Sequence, residues 1–309
     1  MESFRRVFLS LNAHYQLPVM KIVLLAFCLC FFTLAFSQTG SEVYLFDLKV
    51  SKKGEWVLSD GKNITNHKGY DNQPFFHPDE PLVYFSSFNE EGRSDLKSYN
   101  YKTGETKNIT NTASEREYSP TVTPDKQFLS CIIQRDNNAQ DLGKYPINGG
   151  TPTVLIDDLI VGYHTWINTE QLALFVLGEP HTLQLYNLKT KQHEVLDEKI
   201  GRSIHKIPGE EAVSYVDKKS DIEWIIKKYE PASKATADII ATVPGSEDLC
   251  WTSDGKIIMT SGMKILVIDP NKDKEWKAMT LDSKTPFTTA LSRITISKDG
   301  KKLAVVVSE

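Results

Sequence analysis

The chain has 309 residues, 40% of them hydrophobic and 25% charged, and a net charge of −4. Enough apolar material is present for a sizeable core, which excludes a disordered or fibrous chain. A mildly acidic chain without a long basic run also excludes a sequence-independent nucleic-acid binder, whose affinity rests on neutralising phosphates with lysine and arginine.

In chain order, the first feature is an export signal. Met20-Lys21 precedes an apolar stretch over 22–36, and Ala35-Phe36-Ser37 puts small residues at positions −3 and −1 of a cut after Ser37. A basic start, a short apolar core and a small-residue end define a secretory signal peptide over 1–37. Fifteen residues reach roughly 22 Å as a helix, short of the roughly 30 Å of a bilayer core. The polar residues 1–19 do not fit this signal and read as an over-long gene start, with translation from Met20. Arg5-Arg6 resembles a twin-arginine motif, but the apolar stretch begins too late for it. Cys28 and Cys30 follow the large residues Phe27 and Leu29, so neither suits lipid attachment. Only Cys131 and Cys250 remain in the mature chain, 38–309, too few for a disulfide scaffold.

The mature chain repeats. An apolar strand, a polar turn and a second apolar strand recur over 74–85, 120–131, 164–175, 204–215, 249–260 and 294–305. The turn position is Asp79, Asp125, Thr169, Gly209, Asp254 and Asp299, at spacings of 46, 44, 40, 45 and 45. Six units of about 45 residues match the period of four-stranded propeller blades. Asp254-Gly255 and Asp299-Gly300 suit tight hairpins, because glycine tolerates positive φ. Two further alternating strands follow each complete unit, for instance 94–101 and 106–110, 182–187 and 193–196, and 264–269 and 276–281. Asn-Ile-Thr occurs at 63–65 and again at 108–110. The sixth unit ends with two strands, and residues 42–49 and 55–58 offer two spare ones. The fold expected is therefore all-β: a single six-bladed β-propeller whose N-terminal strands complete the last blade and remove open edges.

Tyr70, Gln73-Pro74-Phe75-Phe76-His77-Pro78-Asp79, Val83-Tyr84-Phe85-Ser86-Ser87 and Gly92-Arg93-Ser94-Asp95-Leu96, closing on Thr103-Gly104 to Thr110, resemble the WD40-like (PD40) repeat of TolB-like propellers. Units 2, 5 and 6 keep the turn through Pro124-Asp125, Asp254-Gly255 and Asp299-Gly300. Units 3 and 4 depart from it with Asn168-Thr169-Glu170 and Pro208-Gly209-Glu210. The resemblance runs from Glu42 onward over about 265 residues. It implies a periplasmic or extracellular propeller that acts as a non-catalytic protein-binding or scaffolding module of the cell envelope. TolB itself carries an additional N-terminal domain, for which no room is expected here. Other six-bladed relatives are lyases, lactonases or gating domains of peptidases, and fold alone does not choose among them.

Chemical motifs are sparse. Gly201-Arg202-Ser203-Ile204-His205 lacks the second glycine of a nucleophile elbow, and there is no His-Glu-x-x-His, P-loop or dinucleotide fingerprint. Residues 136–141 lack the glycine and the late glutamate of a calcium loop and read as a surface hairpin. Ligands of propellers bind at the channel mouth, where first strands begin. This selects Asn72, Gln73, Glu117, Tyr118, Tyr163, His164, His205, Glu247, Asp248 and Arg293, flanked by Asp71, Arg116, Ser203 and Ser292. No catalytic residue, metal or cofactor is assigned. The partner expected is an envelope or secreted protein, with a glycan as second choice, no nucleic acid, and a monomeric chain. An enzyme reading would require a metal or acid–base cluster among Glu117, His164, His205 and Asp248. A third reading is a sugar-binding or sensor module without turnover. Trp166 and Trp251 fall in first strands at the position of Phe76 and are expected to pack between blades. Asn63 and Asn108 lie in glycosylation sequons but occupy the recurring strand ending, which favours a structural role.

Overall fold

A computed structural model describes residues 40–281 and 287–309. The export segment lies outside the described residues. Within them the chain is all-β and forms six blades in a propeller ring. Blade 1 comprises Asp71–Phe76, Leu82–Phe88, Ser94–Asn100 and Thr106–Asn108. Blades 2 to 5 begin at Glu115–Val122, Val161–Trp166, His205–Lys206 and Leu249–Trp251 and repeat the same four-stranded antiparallel order outward. Blade 6 is built from both ends of the chain. Leu291–Ile296 is innermost, Lys302–Ser308 follows, and Ser41–Val50 pairs antiparallel with Lys302–Ser308, from Ser41↔Ser308 to Asp47↔Lys302. Trp56–Asn63 comes next.

One strand departs from the sequence expectation. Residues 276–281 do not make a single strand: Lys277–Ala278 stays in blade 5, while Thr280–Leu281 crosses to pair in parallel with Val57 and Leu58 at the outer edge of blade 6. Pairing between chain segments, not local pattern, decides this split, and it gives blade 6 a fifth strand.

The core is divided among the blade seams. Each of six apolar clusters spans one pair of neighbouring blades. Second strands are covered on both faces, which is why they read as continuous apolar runs such as Leu172–Val176 rather than as alternations. Successive side chains serve opposite seams: Val305 packs toward blade 5, while Ala304 and Val306 pack toward blade 1. Outer strands are solvated, as in Thr106–Asn108. Cys131 and Cys250 are buried free thiols within two different seams. Trp166 and Trp251 also lie in seams. Their indole N–H groups donate to Ser130 Oγ at 2.9 Å and Ser214 Oγ at 2.8 Å in the preceding blades.

The turns repeat in chemistry as well as in spacing. Thr123, Thr252 and Ser297 donate their hydroxyls to Asp125, Asp254 and Asp299 Oδ1 at 2.6, 2.6 and 2.7 Å. Gly255 and Gly300 adopt φ of +81° and +69°. Where units depart from this pattern, other acceptors serve: Asn168 Oδ1 takes the N–H groups of Glu170 and Gln171, and His77 Nδ1 takes those of Asp79 and Glu80.

Candidate binding site at the channel mouth

First strands line the central channel with their free edges. In blades 1 and 2 the strand is interrupted by a bulge: pairing slips between Asn72 and Phe75 and between Tyr118 and Thr121. Gln73 and Ser119, both at φ +56°, sit at these bulges, each followed by a proline that has no N–H to offer a ladder. Left-handed backbone at two equivalent non-glycine positions re-aims both residues at the channel.

The residue six positions before each turn comes to the same place. Gln73, Ser119, Tyr163, Ser203, Asp248 and Arg293, one per blade, all line a cavity of about 140 Å³, joined by Arg202, His164 and His205. Toward the turn end the channel continues as a wider space of about 480 Å³, lined by Phe75, Val122, Trp166, Trp251 and Ile296.

Charge in the mouth is held in a connected network. Asp248 accepts from Arg202 Nε and Nη2 at 3.1 and 2.7 Å, and from Arg293 Nη1 at 2.9 Å. Arg293 Nη2 donates to Tyr163 Oη at 2.6 Å. Tyr163 belongs to blade 3 and Arg293 to blade 6, so this bond spans the ring. Burial alone would raise the Asp248 carboxyl, but Arg293 and Arg202 hold it below the usual carboxylate range. Behind it, Glu247 Oε2 accepts from Arg202 N at 2.9 Å, with Lys218 3.6 Å from its other oxygen.

Both histidines are neutral. Burial pushes His164 down to about 3 and His205 to about 4. His205 Nε2 lies 2.9 Å from Ser203 Oγ, which accepts from Leu249 N at 3.2 Å. The tautomer of His164 follows from its neighbour. Ser130 Oγ donates to Thr121 O at 3.0 Å and accepts from Trp166 Nε1, so its only proton is used. His164 Nε2, 2.7 Å away, must then donate to it, and Nδ1 is left as a buried lone pair without a partner among the described residues.

Of the ten residues singled out in the sequence, Gln73, Tyr163, His164, His205, Asp248 and Arg293 come together on the cavity wall. The other four lie elsewhere. Asn72 binds Gln73 N and Ser41 Oγ at the seam of blades 6 and 1. Tyr118 packs edge-on against Tyr70 at 6.3 Å. Glu247 backs Arg202. Glu117 is fully buried in the seam of blades 1 and 2, where it accepts from Thr110 and Thr112 at 2.9 Å and from Tyr145 at 3.1 Å. The bulge breaks the two-residue alternation, so Glu117 faces the seam while Ser119 lines the channel. Arg202 is not among the residues singled out in the sequence, although its position beside the register residue Ser203 is a usable signal.

Glu117 is thus separated from the histidines and Asp248 is engaged by two arginines. Among the described residues no group of three or more His, Cys, Asp or Glu side chains is placed to hold a metal. The 136–141 hairpin is also accounted for by protein contacts. Asp136 is paired with Arg93 at 2.9 Å and Arg116 at 3.0 Å, which hold its carboxyl down at about 2.

No protein-family model and no curated protein sequence matches the chain. Solved structures do. The chain is similar to a putative TolB from Agrobacterium tumefaciens, with a TM-score of 0.67 at 10% identity over 88% of this chain and 99% of that one. It is similar to an oligogalacturonate lyase in complex with manganese, with a TM-score of 0.55 at 16% identity over 84% of each chain. A puromycin-hydrolyzing peptidase from Mycobacterium tuberculosis gives a TM-score of 0.55 at 11% identity, over 77% of this chain but 44% of that one. The shared feature is a TolB-like six-bladed propeller fold. The neighbours include both a TolB and enzymes, so the fold is compatible with either use.

Proposed function

We propose that the chain is an exported, non-catalytic binding propeller that engages an envelope or secreted partner through its channel mouth. One observation carries this reading: every ionisable group that lines the mouth is neutralised or engaged within the protein. Asp248 lies between two guanidiniums, and both histidines are uncharged and hydrogen-bonded to serines. General acid–base work needs a group whose pKa lies near the working pH, and neither histidine meets that need. The opposing reading is a lyase, lactonase or glycan-active enzyme at the same mouth.

The test pairs a turnover assay with crosslinking in the producing cell. A photo-crosslinking residue at Tyr163 is expected to give one discrete partner adduct, lost on Arg293→Gln, and the purified protein is expected to leave lactone and oligogalacturonate substrates unchanged. Turnover that disappears with His205→Gln or Arg293→Gln overturns the proposal. N-terminal sequencing of the exported chain is expected to begin at Gln38.

A further inference from the structure

We propose that the ligand group taken at the mouth is a small hydroxy-carboxylate, its carboxylate held by Arg202 and Arg293 and one hydroxyl donated to His164 Nδ1. This rests on the reading of the mouth as the binding site.

The cavity wall carries two guanidiniums and one carboxylate, since Glu247 stands behind it with Lys218, so one positive charge is in excess. A monoanion neutralises it. A dianion would bring its second charge against Asp248, which disfavours a phosphate monoester.

Hydrogen-bond donors also outnumber acceptors on the wall. Asp248 and Tyr163 engage only some of the N–H groups of Arg202 and Arg293, and the remainder have no acceptor among the described residues. Tyr163 Oη accepts from Arg293, so its own proton is free to be donated. Gln73 Oε1 accepts from Ser119 N at 2.8 Å, which fixes the carboxamide orientation and leaves its NH₂ for another acceptor. Against these donors stand two unmet acceptors on the same wall, His164 Nδ1, in a side chain only 6% exposed, and the hydroxyl oxygen of Ser119. The complement of many donors and few acceptors is a ligand with several acceptor oxygens and a hydroxyl proton. A bare fatty acid lacks the hydroxyl, and a neutral polyol lacks the charge. The wider channel beyond the mouth leaves room for a hydroxylated chain of several carbons.

Isothermal titration of the exported protein with gluconate, hexanoate and sorbitol separates these features. Gluconate is expected to bind. Sorbitol should bind at least about tenfold more weakly, for loss of the charge-assisted bonds, and hexanoate about threefold to tenfold more weakly, for loss of the neutral one. Arg293→Gln should weaken gluconate at least about tenfold and leave sorbitol unchanged. If that variant does not fold, thermal shifts of the unaltered protein with the three probes carry the same comparison. Sorbitol equal to gluconate, or no binding of gluconate, overturns the proposal. Hexanoate equal to gluconate overturns the role of His164. The binding-module reading fails separately, on turnover, so the two failures are distinguishable.

Discussion

Two buried carboxylates, one within the first strand of blade 2 and one just before the first strand of blade 5, meet opposite fates. Asp248, at the channel mouth, is held below the usual carboxylate range even though burial works against it, because Arg293 and Arg202 lie at hydrogen-bond distance. Glu117, in the seam of blades 1 and 2, is pushed by burial up to about 7, although three hydroxyls donate to it, and Asp95 adds repulsion. Hydroxyl dipoles solvate an anion but carry no compensating charge, so they do not offset the cost of leaving water. The same seam design recurs one blade earlier. Ser41 and Ser94 donate to the backbone oxygens of Asp71 and Glu117, and Thr65 and Thr110 donate to Glu42 and Glu117. Burial raises the Glu42 and Asp71 carboxyls as well. The seam of blades 1 and 2 therefore holds a carboxyl that takes up its proton near neutral pH, while the mouth holds fixed charge.

The largest expected effect breaks the mouth. Asp248→Ala leaves two guanidiniums facing one another without a counter-charge and is expected to cost about 3–5 kcal/mol in urea unfolding. A loss below about 1 kcal/mol would show that solvent already screens the pair.

Glu117→Gln sharpens the seam side. The folded carboxyl titrates near 7 against an ordinary value of 4.5, so the folded state binds the extra proton between these limits. The contribution of Glu117 to stability is therefore present below about pH 4.5 and falls as pH rises to about 7, by on the order of 3 kcal/mol. The variant should lack this slope and exceed the parent protein above pH 7. Melts across pH 4.5–8 measure the difference, and parallel curves would sink the assignment.

His164 runs the other way. Its folded value near 3 lies below the ordinary 6.5, so its contribution is complete above pH 6.5 and is lost as pH falls. By pH 5 the loss is about 2 kcal/mol. His164→Gln should flatten that acid limb; an unchanged limb would mean that another group causes it.

The smallest effect concerns the bulge that separates mouth from seam. Ser119 pays a left-handed backbone and its buried Oγ has no partner. Ser119→Gly should gain about 1 kcal/mol, the relief of strain and of the lone hydroxyl exceeding the chain entropy of glycine. A loss instead would show that the hydroxyl is satisfied in solution.

Much of this architecture is legible in the chain itself. The 45-residue spacing, the Asp-containing turns and the spare strands at 42–49 and 55–58 define six blades and the closure between Ser41–Val50 and Lys302–Ser308, because each depends on local pattern and count. Counting from the turns also brings out Gln73, Tyr163, Asp248 and Arg293. What local pattern does not carry is facing and partnership. The bulge at Ser119 turns Glu117 away from the channel, Thr280–Leu281 leaves its own blade for the edge of blade 6, and Arg202 reaches Asp248 across a blade boundary. Arg293 meets Tyr163 across 130 residues of chain only because the ring closes. Strand periodicity and turn chemistry are properties of neighbouring residues and survive in one dimension. The charge state of a buried group depends on what the closed ring brings within a few ångströms of it, and only the tertiary structure decides that.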